Sequence, residues 1–255
     1  MSRRRSGVAT VLSLAVILAA AWWQQRASDH VEGAAPPTVA PGQRAGFDFY
    51  LLALTLEPAF CEERGGSISQ CRTLDEARFA LTPLVLHGLW PENRQPETYP
   101  RDCRGGRLEL DATSMRELSR WMPGVSEGLH IHEWRKHGRC TGLSGTDYYR
   151  SAIHYTEQAN AALGPSILRY AGRAVSAATL RAEANAARPR FGQNIVFVCK
   201  NLRSRDPAMR GRTYLTEVRV CLDDGASGGP ETLLACAAIP RRDQGCGQEF
   251  WIDEP

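Results

Sequence analysis

The chain has 255 residues, enough for one large domain or two small ones with a substantial buried core. Its 31 basic and 28 acidic residues leave a formal charge of only +3. That excludes binding of nucleic acid through a globally positive field, so any such binding needs a local patch.

Arg3, Arg4 and Arg5 precede an uncharged stretch from Gly7 to Trp23, the pattern of a secretory signal. Ala19, Ala20 and Ala21 offer small residues for cleavage. Residues 1–26 are therefore expected to be a signal peptide or, if residues 7–23 stay uncleaved, a membrane anchor at the lower limit of spanning length. The paired arginines also admit a twin-arginine route. Losing this segment removes four arginines and no acid, which turns the charge of +3 into −1. Residues 27–45, with Pro36, Pro37, Pro41 and Gly42, read as a flexible lead-in, and 46–255 as the folded body.

Phe47 to Leu56 is apolar and aromatic enough for a buried strand. Cys61 and Cys71 bracket a polar loop. Leu84 to Leu86 forms a second strand-like run that delivers His87 at its end and breaks at Pro91. Asp111 is a fair N-cap for a helix over Ala112–Trp121, stopped by Pro123-Gly124. A helix carrying His132 and Glu133 follows and ends at Gly138. Asp147 to Leu163 has helical spacing and stops at Gly164-Pro165, and Ser176 to Ala187 is helical. Asn194 to Val198 and Tyr214 to Leu222 are strand-like, with Arg219 set between two valines. Helices in the middle and strands at both ends, without βαβ alternation, predict an α+β single domain. Its central, mainly antiparallel sheet is flanked by helices. All eight cysteines lie after the export segment, and no C-x-x-C pair exists. That favours disulfide staples in an oxidising compartment over a zinc site; spacing alone leaves every pairing open.

The run His132-Glu133-Trp134-Arg135-Lys136-His137 concentrates the chemistry. It holds one of only two lysines and, with His130, three of the six histidines. At about 100° per helical residue, His132, Lys136, Glu133 and His137 share one face. Such a run can also be a charged, solvated helix face. The i,i+4 pairing of Glu133 with His137 favours catalysis, because a carboxylate there would orient the imidazole. The histidines stand at i and i+5, whereas a zinc protease needs H-E-x-x-H, and no third ligand is apparent nearby. His87, from a separate segment, supplies a second imidazole. Two imidazoles without a metal or a nucleophilic side chain suit in-line phosphoryl transfer within RNA, one as base and the other as acid. Lys136 would stabilise charge on the phosphate.

His87-Gly88-Leu89-Trp90-Pro91 and the stretch from His132 to Cys140, about 45 residues apart, together resemble the two active-site signatures of the ribonuclease T2 family of secreted ribonucleases. Phe47 to Cys61 is similar to that family's first strand, and Phe197 to Lys200 and Thr216 to Asp223 to its closing strands. The resemblance implies His137 as base and His87 as acid in the first step, with Glu133 supporting the transition state. His132 and Lys136 would hold the scissile phosphate, and Trp90 and Tyr99 would bind a base. It implies disulfides Cys61–Cys71, Cys103–Cys140, Cys199–Cys246 and Cys221–Cys236, no metal and no cofactor. The expected partner is single-stranded RNA, with no DNA cleavage and no obligatory protein partner; the base preference is low. A catalytically silent extracellular binding protein on the same fold is the alternative. Leu56 departs from the Trp common in the family at that place, which touches base preference and not the catalytic set. Arginine over lysine, and no N-x-S/T sequon, favour a bacterial periplasmic or secreted location.

Overall fold

A computed structural model describes residues 43–95, 98–202, 210–225, 229–239 and 242–255. The apolar segment 7–23 and nearly all of the lead-in lie outside these residues. Arg44 and Ala45 are already built into the body. Arg44 pairs with Asp224, and the Ala45 N–H donates to the Cys140 carbonyl at 2.9 Å.

The first strand, β1 (Phe49–Leu56), is buried on both faces. Tyr50, Leu52, Leu54 and Leu56 enter the main core, while Phe49 and Leu51 join a smaller cluster with Val196, Cys221 and Ile239. This period of two is that of a strand covered on both sides. β1 pairs antiparallel with β2 (Leu84–Glu92) on one side and with β5 (Thr213–Asp224) on the other. β5 also pairs antiparallel with β4 (Ile195–Asn201) and β6 (Pro230–Leu233). β7 (Glu249–Trp251) runs parallel to β5 and carries β3 (Ala174–Ser176) at the edge. The sheet is thus mainly antiparallel, as the segregation of helices and strands predicts.

Seven α-helices are present among the described residues. Three short ones, α1 (Glu57–Arg64), α2 (Ser69–Arg72) and α3 (Glu76–Leu81), occupy the stretch between β1 and β2. The expected polar loop between Cys61 and Cys71 is therefore partly helical. Pro58 at the start of α1 suits a first helical turn, where the missing N–H costs nothing. Helix α4 (Ala112–Trp121) begins as its sequence predicts: the Asp111 carboxylate accepts from the N–H groups of Thr113 and Ser114 at 2.9 and 2.7 Å. α5 (Leu129–Lys136) carries the His/Glu/Lys run but ends at Lys136, not at Gly138.

Helix α6 (Gly145–Tyr170) runs through the expected stop, with Pro165 inside it. Leu163, Ser166 and Ile167 continue its buried face. Burial on that stripe offsets the hydrogen bond that a proline removes. α7 (Ala177–Ala187) follows, capped by Ser176.

Four disulfides join Cys61–Cys71, Cys103–Cys140, Cys199–Cys246 and Cys221–Cys236. The Cys103–Cys140 bond ties the chain after β2 to the turn after α5. Each such link typically adds ~2–4 kcal/mol by restricting the unfolded chain.

Candidate active site

His87 owes its position to an irregularity that its sequence does not announce. Along the β1–β2 ladder Ala53 faces Gly88 and Leu54 faces Leu86, so His87 is the extra residue of a β-bulge. Such a bulge re-aims one side chain while pairing resumes on either side. It also explains how Leu86 and Leu89, three residues apart, both reach the main core. Instead of lying at a strand end before a break, His87 sits mid-strand, and β2 continues through Pro91 to Glu92.

Gly88 makes the next contact feasible. A Cβ there would lie 2.1 Å from a Glu133 carboxylate oxygen and 2.6 Å from the Trp90 indole nitrogen. With glycine, α5 packs closely enough for the Trp90 Nε1–H to donate to Glu133 Oε2 at 2.8 Å. The other oxygen, Oε1, stands 3.8 Å from His87 Nε2. Tyr148 locks β2 from the other side, its hydroxyl donating to the Leu89 carbonyl at 2.6 Å.

Glu133 therefore serves His87 and Trp90. The i,i+4 partnership with His137 expected from helical spacing is not made, because His137 leaves the helix at φ −122°, ψ −51°. Its N–H still donates to the Glu133 carbonyl at 2.8 Å, but its ring turns towards aromatic neighbours. The Trp90 ring lies 5.4 Å away, tilted at 33°, and the Tyr99 ring 6.4 Å away, stacked on the imidazole. The His87 ring packs edge-on against the same Trp90 at 5.3 Å. Both imidazoles thus pack on one indole, which keeps their centroids within about 11 Å of each other.

The site holds one carboxylate that the motifs do not point to. Glu217 on β5 accepts at Oε1 from His87 Nδ1 at 3.0 Å, while its Oε2 accepts from Arg219 Nε and Nη2 at 3.0 and 2.8 Å. Arg219 in turn lies over the Trp90 ring at 5.3 Å. The only trace in the sequence is the interruption of an apolar strand by Glu217 and Arg219, two residues apart and so on one face.

The two histidines live in opposite fields. Burial works against a charge on His87, but the bond to Glu217 and the nearby Glu133 outweigh it, and its pKa is raised. Burial and then the surrounding Lys136, His87, His132 and Arg101 all act against protonating His137, whose pKa falls to about 3. Glu217 is itself desolvated, which would raise it; His87 and Arg219 prevail and hold it at about 2. Burial raises Glu133 despite the cations near it. At neutral pH the arrangement offers a neutral imidazole that can take a proton and, beside the same indole, one whose hold on a proton is strengthened by a carboxylate cradle.

His132, exposed on α5, lines a groove of about 550 Å³ together with His87, Glu217, Thr55, Phe60 and Lys200. Lys136, half-buried, lies one turn on from His132 and acts electrostatically on Glu133 and His137. His130 belongs elsewhere: it is buried, and its carbonyl accepts from the Tyr149 hydroxyl. The larger hollow, about 640 Å³, lies by Trp251 and Asp253 and contains none of these residues.

Comparison with known proteins decides the family. Residues 47–228 match the model of the ribonuclease T2 family, most of the chain and both motifs. The chain belongs to the ribonuclease T2 family. Endoribonuclease is the enzyme class, and RNA the substrate, that this membership carries. It is 29% identical over 219 residues to a ribonuclease of Aeromonas hydrophila, covering 84% of this chain and 88% of that one. It is 25% identical over 247 residues to ribonuclease I of Escherichia coli, covering 83% and 88%. Among solved structures, ribonuclease MC1 from bitter gourd seeds superposes with a TM-score of 0.59 at 24% identity, covering 80% of this chain and all of the other, a likeness of fold.

Proposed function

We propose that this ribonuclease is exported and cleaves single-stranded RNA with little base preference, by metal-independent transfer of the phosphodiester to the adjacent 2′ oxygen. Neutral His137 takes the 2′ proton, that oxygen attacks phosphorus, and protonated His87 gives its proton to the departing 5′ oxygen. The products are a 2′,3′-cyclic phosphate and a free 5′ hydroxyl. His132 and Lys136 hold the scissile phosphate, with Glu133 supporting charge in the transition state. Trp90 and Tyr99 border His137 and stack a base, a contact tolerant of sequence because every base has a π-face.

The observation that carries this reading is the opposed proton affinity of two imidazoles packed on one indole. Environments that push two like groups apart mark out an acid and a base. Four disulfides fit an oxidising compartment, the periplasm or outside of a bacterium. Residues 1–26 are read as the signal or anchor, 27–45 as the lead-in and 46–255 as the catalytic domain.

A fluorogenic RNA and its deoxy analogue, incubated in chelator, test the mechanism. RNA is cut and DNA is not, since DNA lacks the attacking hydroxyl. Mass spectrometry finds a cyclic phosphate. Equal cleavage of both, or activity lost with the metal, rejects it. A silent binding protein would cut neither.

A further inference from the structure

Round the C-terminal end of α5, on the side away from Glu133, lies a cationic surface that the catalytic chemistry does not use. The chain from Tyr99 to Leu110 wraps this helix as an extended, irregular strap. It is fixed by the Cys103–Cys140 disulfide and by the Asp102 N–H donating to the Lys136 carbonyl at 2.8 Å. Trp134 Nε1 and Arg139 Nε both donate to the Gly106 carbonyl, at 3.2 and 3.0 Å. The strap carries Arg101, Arg104 and Arg107, every third residue, all exposed. Its acids are Asp102 and Glu109. α5 and its following turn add Arg135 and Arg139.

Arg107, Arg135 and Arg139 rim a hollow of about 400 Å³ whose floor is Leu108, Trp134 and the half-exposed Ile131. The guanidinium groups of Arg104, Arg107 and Arg135 make no ion pair or hydrogen bond among the described residues. Two uncommitted arginines of the rim, Arg107 and Arg135, over an apolar floor match a nucleotide, with guanidinium for phosphate and flat apolar or guanidinium surface for the base. The surface is continuous with the catalytic centre. Arg101 Nη1 donates to the Tyr99 hydroxyl at 3.3 Å, and Tyr99 stacks on His137. From there the strap leads on round α5, through Arg104, to Arg107 at the rim of the hollow.

We infer that this strap and hollow form a second phosphate track, which holds RNA a few nucleotides beyond the scissile bond and makes long chains better substrates than dinucleotides. The inference rests on the ribonuclease reading for its substrate, but its binding can be measured without turnover. The track meets the requirement for a local patch in a chain whose body has no net positive charge.

The variant R104Q/R107Q/R135Q tests it. Binding of a fluorescein-labelled oligodeoxythymidylate, long enough to round the helix, is followed by anisotropy at increasing salt. Each guanidinium–phosphate pair on a single strand is worth about 0.7 in the salt slope, so removing up to three lowers that slope by about 2 and low-salt affinity by about tenfold. kcat/KM for a long RNA falls by a similar factor, while that for a dinucleoside monophosphate changes by less than about twofold, which also shows the variant folded. Unchanged oligonucleotide binding, or an equal fall on the dinucleotide, overturns the track. Loss of binding to phosphatidylglycerol vesicles with oligonucleotide binding intact would reassign the surface to a membrane and overturn it as well. A wild type that binds oligonucleotide through these arginines yet cuts no RNA rejects the ribonuclease mechanism and leaves the track standing.

Discussion

His87 and His137 are the same side chain in two regions built on opposite electrostatic plans. Around the β2 bulge, His87 is one-third exposed and touches two carboxylates, Glu133 and Glu217. At the end of α5, His137 is buried, and Lys136, His132 and Arg101 act against its protonation. One ring is arranged to keep a proton and the other to lack one. Role here is a property of surroundings, not of residue type. The backbone differs too. A bulge and a glycine create the first site, and a helix end with an off-helix φ, ψ pair creates the second.

The largest expected effect comes from removing either ring. His137→Ala and His87→Ala each lower kcat/KM by about two to four orders of magnitude, the ordinary weight of general acid–base catalysis. Steady-state kinetics on a fluorogenic RNA reads this, and a near-normal His137→Ala would cancel the division of roles.

Gly88→Ala attacks the first region through packing. The new methyl overlaps Glu133 and Trp90, so stability falls by about 1–3 kcal/mol and activity with it. Thermal unfolding beside kinetics separates the two losses. A variant with unchanged Tm and rate would show that the close approach of Glu133 is dispensable.

Lys136→Gln weakens the second region's field. His137 needs to be neutral, so the acid limb of the pH–rate profile lies near its pKa of about 3 and moves upward when the cation goes. About a tenfold fall in kcat/KM accompanies it from the lost charge on the phosphate. An acid limb that stays in place would mean Lys136 acts on the phosphate alone.

Glu217→Gln is the mildest and the most diagnostic. His87 must be protonated, and its raised pKa carries the alkaline limb above 6.5. Losing the carboxylate brings that limb down, so the rate falls about fivefold or more near neutrality and little near pH 5. The same pair affects stability. Glu217, lowered to about 2, stabilises the native state above 4.5 and stops doing so as pH falls through about 2. His87, raised, contributes fully below 6.5 and loses that contribution as pH rises through its folded value. The pair is therefore at full strength between 4.5 and 6.5, and the wild-type-minus-variant difference in Tm is greatest there.

The amino-acid order by itself determined the class of fold, the segregation of helices and strands, and the residue types able to move protons. Those depend on local periodicity, on caps such as Asp111, and on motif content that needs no partner elsewhere. It also held Glu217 and Arg219 in plain view as two charges in an apolar strand, but not what they face. Three matters were decided only when distant segments packed. A bulge is a mismatch between two strands, so the position of His87 exists only once β1 and β2 are paired. The turn of Glu133 from His137 to His87 arises where α5 meets β2 over Gly88. The passage of α6 through Pro165 reflects buried surface that the rest of the core supplies. Proton affinities belong with these, because desolvation and charge act through space and are set by neighbours that the chain order keeps apart.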